Sequence, residues 1–358
     1  MDPMRILDVS MDVLEISFRK PLRTALCEFQ KLENILLKLN TGPIIGFGEA
    51  SPTLAVTGDT SDTVMALLKE LASSILEGAD PIDVKGITRR LEGIPFNGSA
   101  KAAVDMALHD VIGKFSRMPV FSLLGGSFRR LKTDVTVSLG EPEEMCREAE
   151  YWVEAGFETL KLKLGSSLKE DLERVKGVRD RVGSSPDIRV DLNQAYTRQL
   201  TVKFISKVAP LDVEFVEQPL PAWDLKGLAQ IRRATGLPIA VDESVHTSRD
   251  LLKVLDYEAA DIVNIKLMKA GEIREALRIA ALAETAGLES MIGCMAETRL
   301  SITAAVHLAC AAPNISYIDL DSPLFLEKDP VVGGAKYDGP YIEPGMEYGL
   351  GIMDVEET

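Results

Sequence analysis

Histidine is scarce in this 358-residue chain, with three in all, alongside four cysteines and two tryptophans. With so few imidazoles, chemistry that needs a base near neutrality must fall on lysine or carboxylate. Cys27, Cys146, Cys294 and Cys310 stand far apart with no C-x-x-C pair, which argues against a disulfide framework or a zinc site and reads as isolated reduced thiols. No run of about 18 apolar residues occurs, so no membrane span is expected. The opening MDPMRILDVS lacks the basic and apolar regions of a signal peptide, so a cytoplasmic location is expected. Positive charge is also in deficit: 40 Lys plus Arg against 55 Asp plus Glu leave a net charge of −15. Nucleic acid and anionic lipid are therefore not expected partners. What is abundant is apolar content, 46%, enough at this length for two or three domains with large cores.

Residues 1–55 alternate in strand fashion, as in Ile35-Leu36-Leu37-Lys38-Leu39, with glycine and proline breaks at Thr41-Gly42-Pro43 and Gly46-Phe47-Gly48. A helix is expected next, with Ser61 as its cap, Val64, Leu67, Leu68, Leu71 and Ile75 on one face, and Gly78 closing it. An alanine-dense helix over 97–114 follows. Residues 1–125 thus read as an α+β module.

From about Lys132 the texture changes to short β-branched runs, each followed by an amphipathic helical segment: TDVTVSL, ETLKLKL, DIRVDLN, VEFVEQP, PIAVDES, DIVNIKL, ESMIGCM and SYIDLDS. Lys161, Asp191, Glu217, Asp242, Lys266, Gly293 and Asp319 recur 24 to 30 residues apart, the length of one βα unit. Eight such strands over 126–325 predict a TIM-like (β/α)8-type barrel with one irregular unit or more. A doubly wound open sheet is the alternative, but no Gly-rich turn marks a switch point. The Gly- and Pro-rich segment 326–358 is expected to return to the first module.

Chemistry in such a barrel gathers at the carboxyl ends of the strands. Lys161 and Lys163 share one face of the second strand while Leu160, Leu162 and Leu164 take the other. Two buried like charges call for negative partners. Three carboxylates answer on the next three strands, Asp191, Glu217 and Asp242. Any one alone reads as a cap or loop acceptor, but together they suit an all-oxygen Mg²⁺ site, with Asn193 as an outer neighbour. Lys266, on the sixth strand, stands opposite the second, so a ligand on the metal would have a lysine on each side. Burial and nearby cations are expected to lower the pKa of Lys163 or Lys266 and fit them for proton transfer. Asp319 and Asp321 on the last strand form an inward pair suited to a substrate ammonium.

This ordered set, with the contexts VDLNQ, VEQP, VDES and NIKLMKAG, resembles the muconate-lactonizing subgroup of the enolase superfamily along nearly the whole chain, GFGEASP in the first module included. The resemblance implies a (β/α)7β barrel under an α+β capping domain. Asp319-x-Asp321 resembles the D-x-D that in dipeptide epimerases binds the substrate's free α-ammonium. It therefore implies a Mg²⁺-dependent proton transfer at Cα of the C-terminal residue of a small dipeptide substrate, with Lys163 and Lys266 as the two bases and Lys161 supporting charge on the carboxylate. Thr136 and Cys294 fall where such enzymes contact the dipeptide. Two departures stand out. Cys27, in KPLRTALCEF, occupies the place of an arginine that pairs with glutamate in Ala-Glu-specific members, which points to an apolar or uncharged C-terminal residue unless Lys20 or Arg23 substitutes. Gly271-Glu272 replaces a glycine pair. His246 and His307 match no catalytic position and read as structural. o-Succinylbenzoate synthesis, N-acylamino acid racemisation and muconate cycloisomerisation are the rival reactions, and their substrates lack a free α-ammonium. A non-catalytic barrel that binds metal and ligand would need neither opposed lysine. Self-association as a homo-oligomer stays open.

Overall fold

A computed structural model describes residues 4–357 of the chain. Three antiparallel strands, β1 (Asp8–Arg23), β2 (Glu28–Asn40) and β3 (Ile45–Ala50), form the first sheet in sequence order. Helices α1 (Ser61–Leu71), α2 (Val84–Glu92), α3 (Gly98–Ser116) and the short α4 (Val120–Leu123) follow. The cap of α1 is Thr60 and not the expected Ser61: Thr60 and Thr63 exchange side-chain and backbone hydrogen bonds, while the Ser61 hydroxyl donates to Glu33 O at 2.6 Å. A single π turn, Ala72–Leu76, extends α1 towards Gly78. Alanine-rich α3 lies directly on β3. A Cβ at Gly48 would come within 1.9 Å of Ala103 O and one at Gly46 within 2.3 Å of Ala107 O, so both positions demand glycine.

After the two-residue β4 (Leu131–Lys132) comes an eight-stranded parallel sheet in strictly consecutive order. Its strands are β5 (Val135–Val137), β6 (Thr159–Lys163), β7 (Asp187–Asp191), β8 (Val213–Glu217), β9 (Ile239–Val241), β10 (Ile262–Ile265), β11 (Glu289–Gly293) and β12 (Ile315–Asp319). The crossovers carry α5 (Pro142–Glu154), α6 (Leu168–Val182), α7 (Arg198–Val208), α8 (Leu225–Thr235), α9 (Ser248–Tyr257), the single-turn α10 (Leu267–Ala270) with α11 (Ile273–Ala286), and α12 (Arg299–Ala311). No crossover helix follows β12, where a 3₁₀ turn at Ser322–Phe325 stands instead. The nearly closed barrel is therefore of the expected (β/α)7β kind. At the seam, the Asp134 N–H donates to Ile318 O at 3.0 Å, stitching the start of β5 to β12.

The remaining segment returns to the first sheet and its helices. Glu327 N–H donates to Ser17 O at 3.0 Å, and Leu350 N–H donates to the buried Asp110 of α3 at 2.8 Å. Its strands are β13 (Val331–Gly333), β14 (Lys336–Asp338), β15 (Tyr341–Glu343) and β16 (Ile352–Val355). Among the described residues, no helix is long and apolar enough to cross a membrane.

The period-two pattern of the strands sorts the barrel interior into layers. Phe215, Ala240, Ile262 and Met291 form a buried apolar cluster with Tyr317 packed against it. Two residues further along β8, β9 and β12, and four along β10, stand Glu217, Asp242, Asp319 and Lys266. The charged groups thus sit on an apolar floor.

Candidate active site

Lys161 is wholly buried on β6 and is the hub of the charged layer. Its ammonium lies 2.7 Å from Asp319, 2.8 Å from Glu217 and 3.4 Å from Asp191. Burial opposes its charge, yet Asp319, Glu217 and Asp191 together outweigh burial and raise its pKa well above the ordinary lysine value. Lys163, two residues on and slightly exposed, reaches Asp191 at 2.7 Å. On the other side of the cavity, Lys266 lies 2.8 Å from Asp242. The expected lowering of the Lys266 pKa is reversed: burial is the largest single influence and lowers it, but Asp242, Glu217 and Asp319 together outweigh it and the net direction is upward. An opposite charge at contact distance outweighs the repulsion from Lys161 across the cavity.

Asp191, Glu217 and Asp242 face this space from adjacent strands, each turned towards a lysine. Asp242 is held from two sides, since Lys269 of α10 also reaches it at 2.6 Å and donates to Asn264 O at 3.0 Å. Its carboxyl is depressed far below the usual range: burial would raise it, but Lys266 and Lys269 prevail. Asn264 donates to Glu217 Oε1 at 2.7 Å, and the Asn193 N–H donates to Asp191 Oδ1 at 2.9 Å. Glu243 is pushed up to about 8 by burial and by Asp242 and Asp191.

Several buried oxygens in this group have no hydrogen-bond partner, namely Glu217 Oε2, Asp242 Oδ2, Glu243 Oε2 and Asn193 Oδ1. Glu217 Oε2 and Asp242 Oδ2 each have an ammonium 2.8 Å away without hydrogen-bond geometry. Unsatisfied buried oxygen is costly, and an all-oxygen donor set of this kind fits Mg²⁺.

Asp319 and Asp321 stand side by side at the end of β12. Asp319 is held down at about 2: burial opposes this, but Lys161, Lys163 and Lys266 outweigh it. Asp321 is instead raised to about 6 by burial and by Asp319, although the Thr136 N–H donates to it at 2.5 Å. Thr136 and Cys294 line the same cavity as Lys163, Asp242, Lys266, Asp319 and Asp321, a space of about 80 Å³ that is partly open to solvent. Its opposite wall comes from the first sheet, where Leu22, Leu26, Cys27, Phe29 and Val56 meet Met295 and Phe325 of the barrel loops. Among the described residues, Lys163 and Lys266 are the lysines that line it and no arginine does. Arg23 is paired outside with Glu28 at 2.9 Å.

His307 accepts from the Phe121 N–H at 3.0 Å and stacks on that ring, a packing role. His246 is lowered to about 4 by burial and by Lys269. Four residues of the site were not singled out from the sequence: Lys269, Glu243, Arg189 and Asp134. Arg189 stands on the floor with its guanidinium over the rings of Phe215 and Tyr317, at 5.4 and 4.9 Å, and pairs with Asp134 at 2.7 Å. Extending the period-two pattern back from Asp191 would have placed Arg189 inward.

Comparison with known proteins matches residues 9–125 to the "Mandelate racemase / muconate lactonizing enzyme, N-terminal domain" and residues 144–357 to the "Enolase C-terminal domain-like" family. The L-Ala-D/L-Glu epimerase of Clostridium acetobutylicum is 40% identical over 357 residues, covering 98% of this chain and 99% of that one. The substrate-liganded L-Ala-D/L-Glu epimerase of Bacillus subtilis superposes with a TM-score of 0.96 at 39% identity, over 99% of this chain and 100% of that one. The dipeptide epimerase of Enterococcus faecalis, complexed with Mg and L-Leu-L-Tyr, gives 0.94 at 37% identity, over 98% and 99%. The chain belongs to the mandelate racemase and muconate lactonizing enzyme family of the enolase superfamily.

Proposed function

We propose, from that membership and from the cavity's chemistry, that this protein is a Mg²⁺-dependent dipeptide epimerase acting on Cα of the C-terminal residue, with an apolar side chain preferred there. The observation that carries the reading is the placing of two lysines, Lys163 and Lys266, on strands that face each other across one cavity whose end holds Asp319 and Asp321. One lysine removes the Cα proton from one face, and the other delivers a proton to the opposite face, which inverts the centre. Lys161 bears on the substrate carboxylate, where charge builds as the proton leaves. Asp319 and Asp321 receive the α-ammonium and fix which carbon lies between the lysines.

Asp191, Glu217 and Asp242 would hold the metal, with Asn193 and Glu243 behind them. When bound, the metal supplies positive charge for the substrate carboxylate and relieves the lysines of their carboxylate partners. The preference for an apolar residue is supported by the wall of Leu22, Leu26, Cys27, Phe29 and Val56, whose lining side chains among the described residues are uncharged. The complex of the Enterococcus faecalis enzyme with L-Leu-L-Tyr is consistent with this.

Incubation of pooled L,L-dipeptides with enzyme and Mg²⁺ in D₂O, read by mass spectrometry, tests the proposal. Deuterium at Cα of C-terminal apolar residues is expected. Label in N-acyl amino acids but in no dipeptide would refute it.

A further inference from the structure

Beneath Asp319 and Asp321 lies a third carboxylate with an incomplete set of partners. Asp134 is 0% exposed and enters the barrel at the seam, where its N–H is tied to Ile318 of β12. Arg189 takes its Oδ2 at 2.7 Å, and Oδ1 is buried with no hydrogen-bond partner. Oxygens of Asp134, Asp319 and Asp321 all lie within 4.8 Å of one another, close enough to share a single cation. With no separation above 4.8 Å, a point between them lies no farther than about 2.8 Å from each, within reach of ammonium–carboxylate hydrogen bonds.

The local charge has the same sense. Lys161 is 2.7 Å from Asp319 and Arg189 is 2.7 Å from Asp134, while Asp321 has a backbone N–H and no cation at contact. Both cations are shared, Arg189 with Glu214 at 2.7 Å and Lys161 with Glu217 at 2.8 Å, so the trio is short of positive partners. A primary ammonium has three N–H groups, one for each carboxylate.

We infer that Asp134 is a third substrate-binding carboxylate, forming with Asp319 and Asp321 a tripod that selects a primary α-ammonium. The inference rests on the dipeptide reading and deepens it. It distinguishes primary from secondary amines, which a two-carboxylate clamp would not do. N-methylation keeps two N–H groups and removes the third.

The test is a cycle of two changes, Asp134→Asn in the enzyme and N-methylation of a dipeptide that the wild type turns over, read as KM and kcat for Cα deuterium uptake. Loss of one charge-assisted hydrogen bond corresponds to about tenfold or more in KM. Each single change should raise KM by about that factor while kcat stays within about threefold, and N-methylation should add less than about threefold in the variant. An unchanged KM in Asp134→Asn, or penalties that simply multiply, would overturn the tripod. Should the variant not fold, inhibition of the wild type by methylammonium and dimethylammonium decides: weaker inhibition by dimethylammonium is expected, and equal inhibition contradicts it. Absence of uptake in every dipeptide removes the dipeptide reading itself, whereas uptake with a KM indifferent to Asp134 removes only the tripod.

Discussion

The two ends of the cavity are built by opposite means. The barrel end is a lattice of buried charges in which Lys161, Lys163, Lys266 and Lys269 each contact a carboxylate at 2.6 to 2.8 Å. The end supplied by the first sheet is apolar and loosely tied, with Thr24 and Cys27 hydrogen-bonded mainly to one another across a turn. Side chains on hydrogen-bonded strands keep their geometry to within a fraction of an ångström, which proton transfer requires. A loop at the end of a two-stranded ribbon can change its residues without disturbing that geometry. Chemistry and specificity are thereby separated in space, and each can be altered without the other.

The largest effect that would break this separation lies at the charged end. Lys163→Ala and Lys266→Ala should each lower epimerisation by about 10³- to 10⁴-fold, measured by polarimetry or NMR on protein whose fold is checked by circular dichroism. Next is the floor beneath the charges. Phe215→Ala should cost about 3 to 5 kcal/mol in denaturant unfolding, because Phe215 is fully buried against Tyr317 and under Arg189. The protein that remains folded should retain its preference among dipeptides.

At the apolar end, Cys27→Arg should lower KM for dipeptides with C-terminal glutamate by about tenfold and raise it for C-terminal leucine, through one charge-assisted hydrogen bond. An unchanged preference would mean that the loop does not read the side chain. The smallest effect is on pH. Asp321, raised to about 6 by burial and by Asp319, faces Asp319, Asp134, Lys161 and the Thr136 N–H. Protonation below that pH removes the charge that receives the ammonium. KM should therefore rise as pH falls through about 6, approaching tenfold per unit, and level off above it.

Much of the charged end was legible in the sequence because strand alternation is a strict rule. Lys161 and Lys163, Asp191, Glu217, Asp242 and Lys266 are each separated from the outward residues by one position, so their convergence could be read from spacing alone. Asp134 obeys the same rule, two residues before Thr136, but its importance depends on the β5–β12 seam, which joins residues 184 positions apart (134 and 318). Lys269 was hidden for another reason. It lies on α10, a single helical turn after Lys266, and a three-residue step in helix, unlike in strand, returns it beneath Asp242. The sign of the Lys266 shift depends on distances that sequence does not hold: Asp242 at 2.8 Å, joined by Glu217 and Asp319, overcomes burial. Glu49 shows the same limit on a larger scale. From GFGEASP it reaches across to the N-terminus of α12, accepting from Thr298 N at 2.9 Å and Ser301 N at 3.0 Å, a contact that no local pattern announces.

The central claim is that the two lysines serve opposite faces of one carbon. It is tested most directly by Cα exchange in D₂O with Lys266→Ala and Lys163→Ala, each given separately the L,L- and the L,D-form of a turned-over dipeptide. Each variant is predicted to exchange the proton of one epimer only, the two variants choosing opposite epimers, without inverting either. Exchange of both epimers by a single-lysine variant, or full inversion by it, would contradict the account.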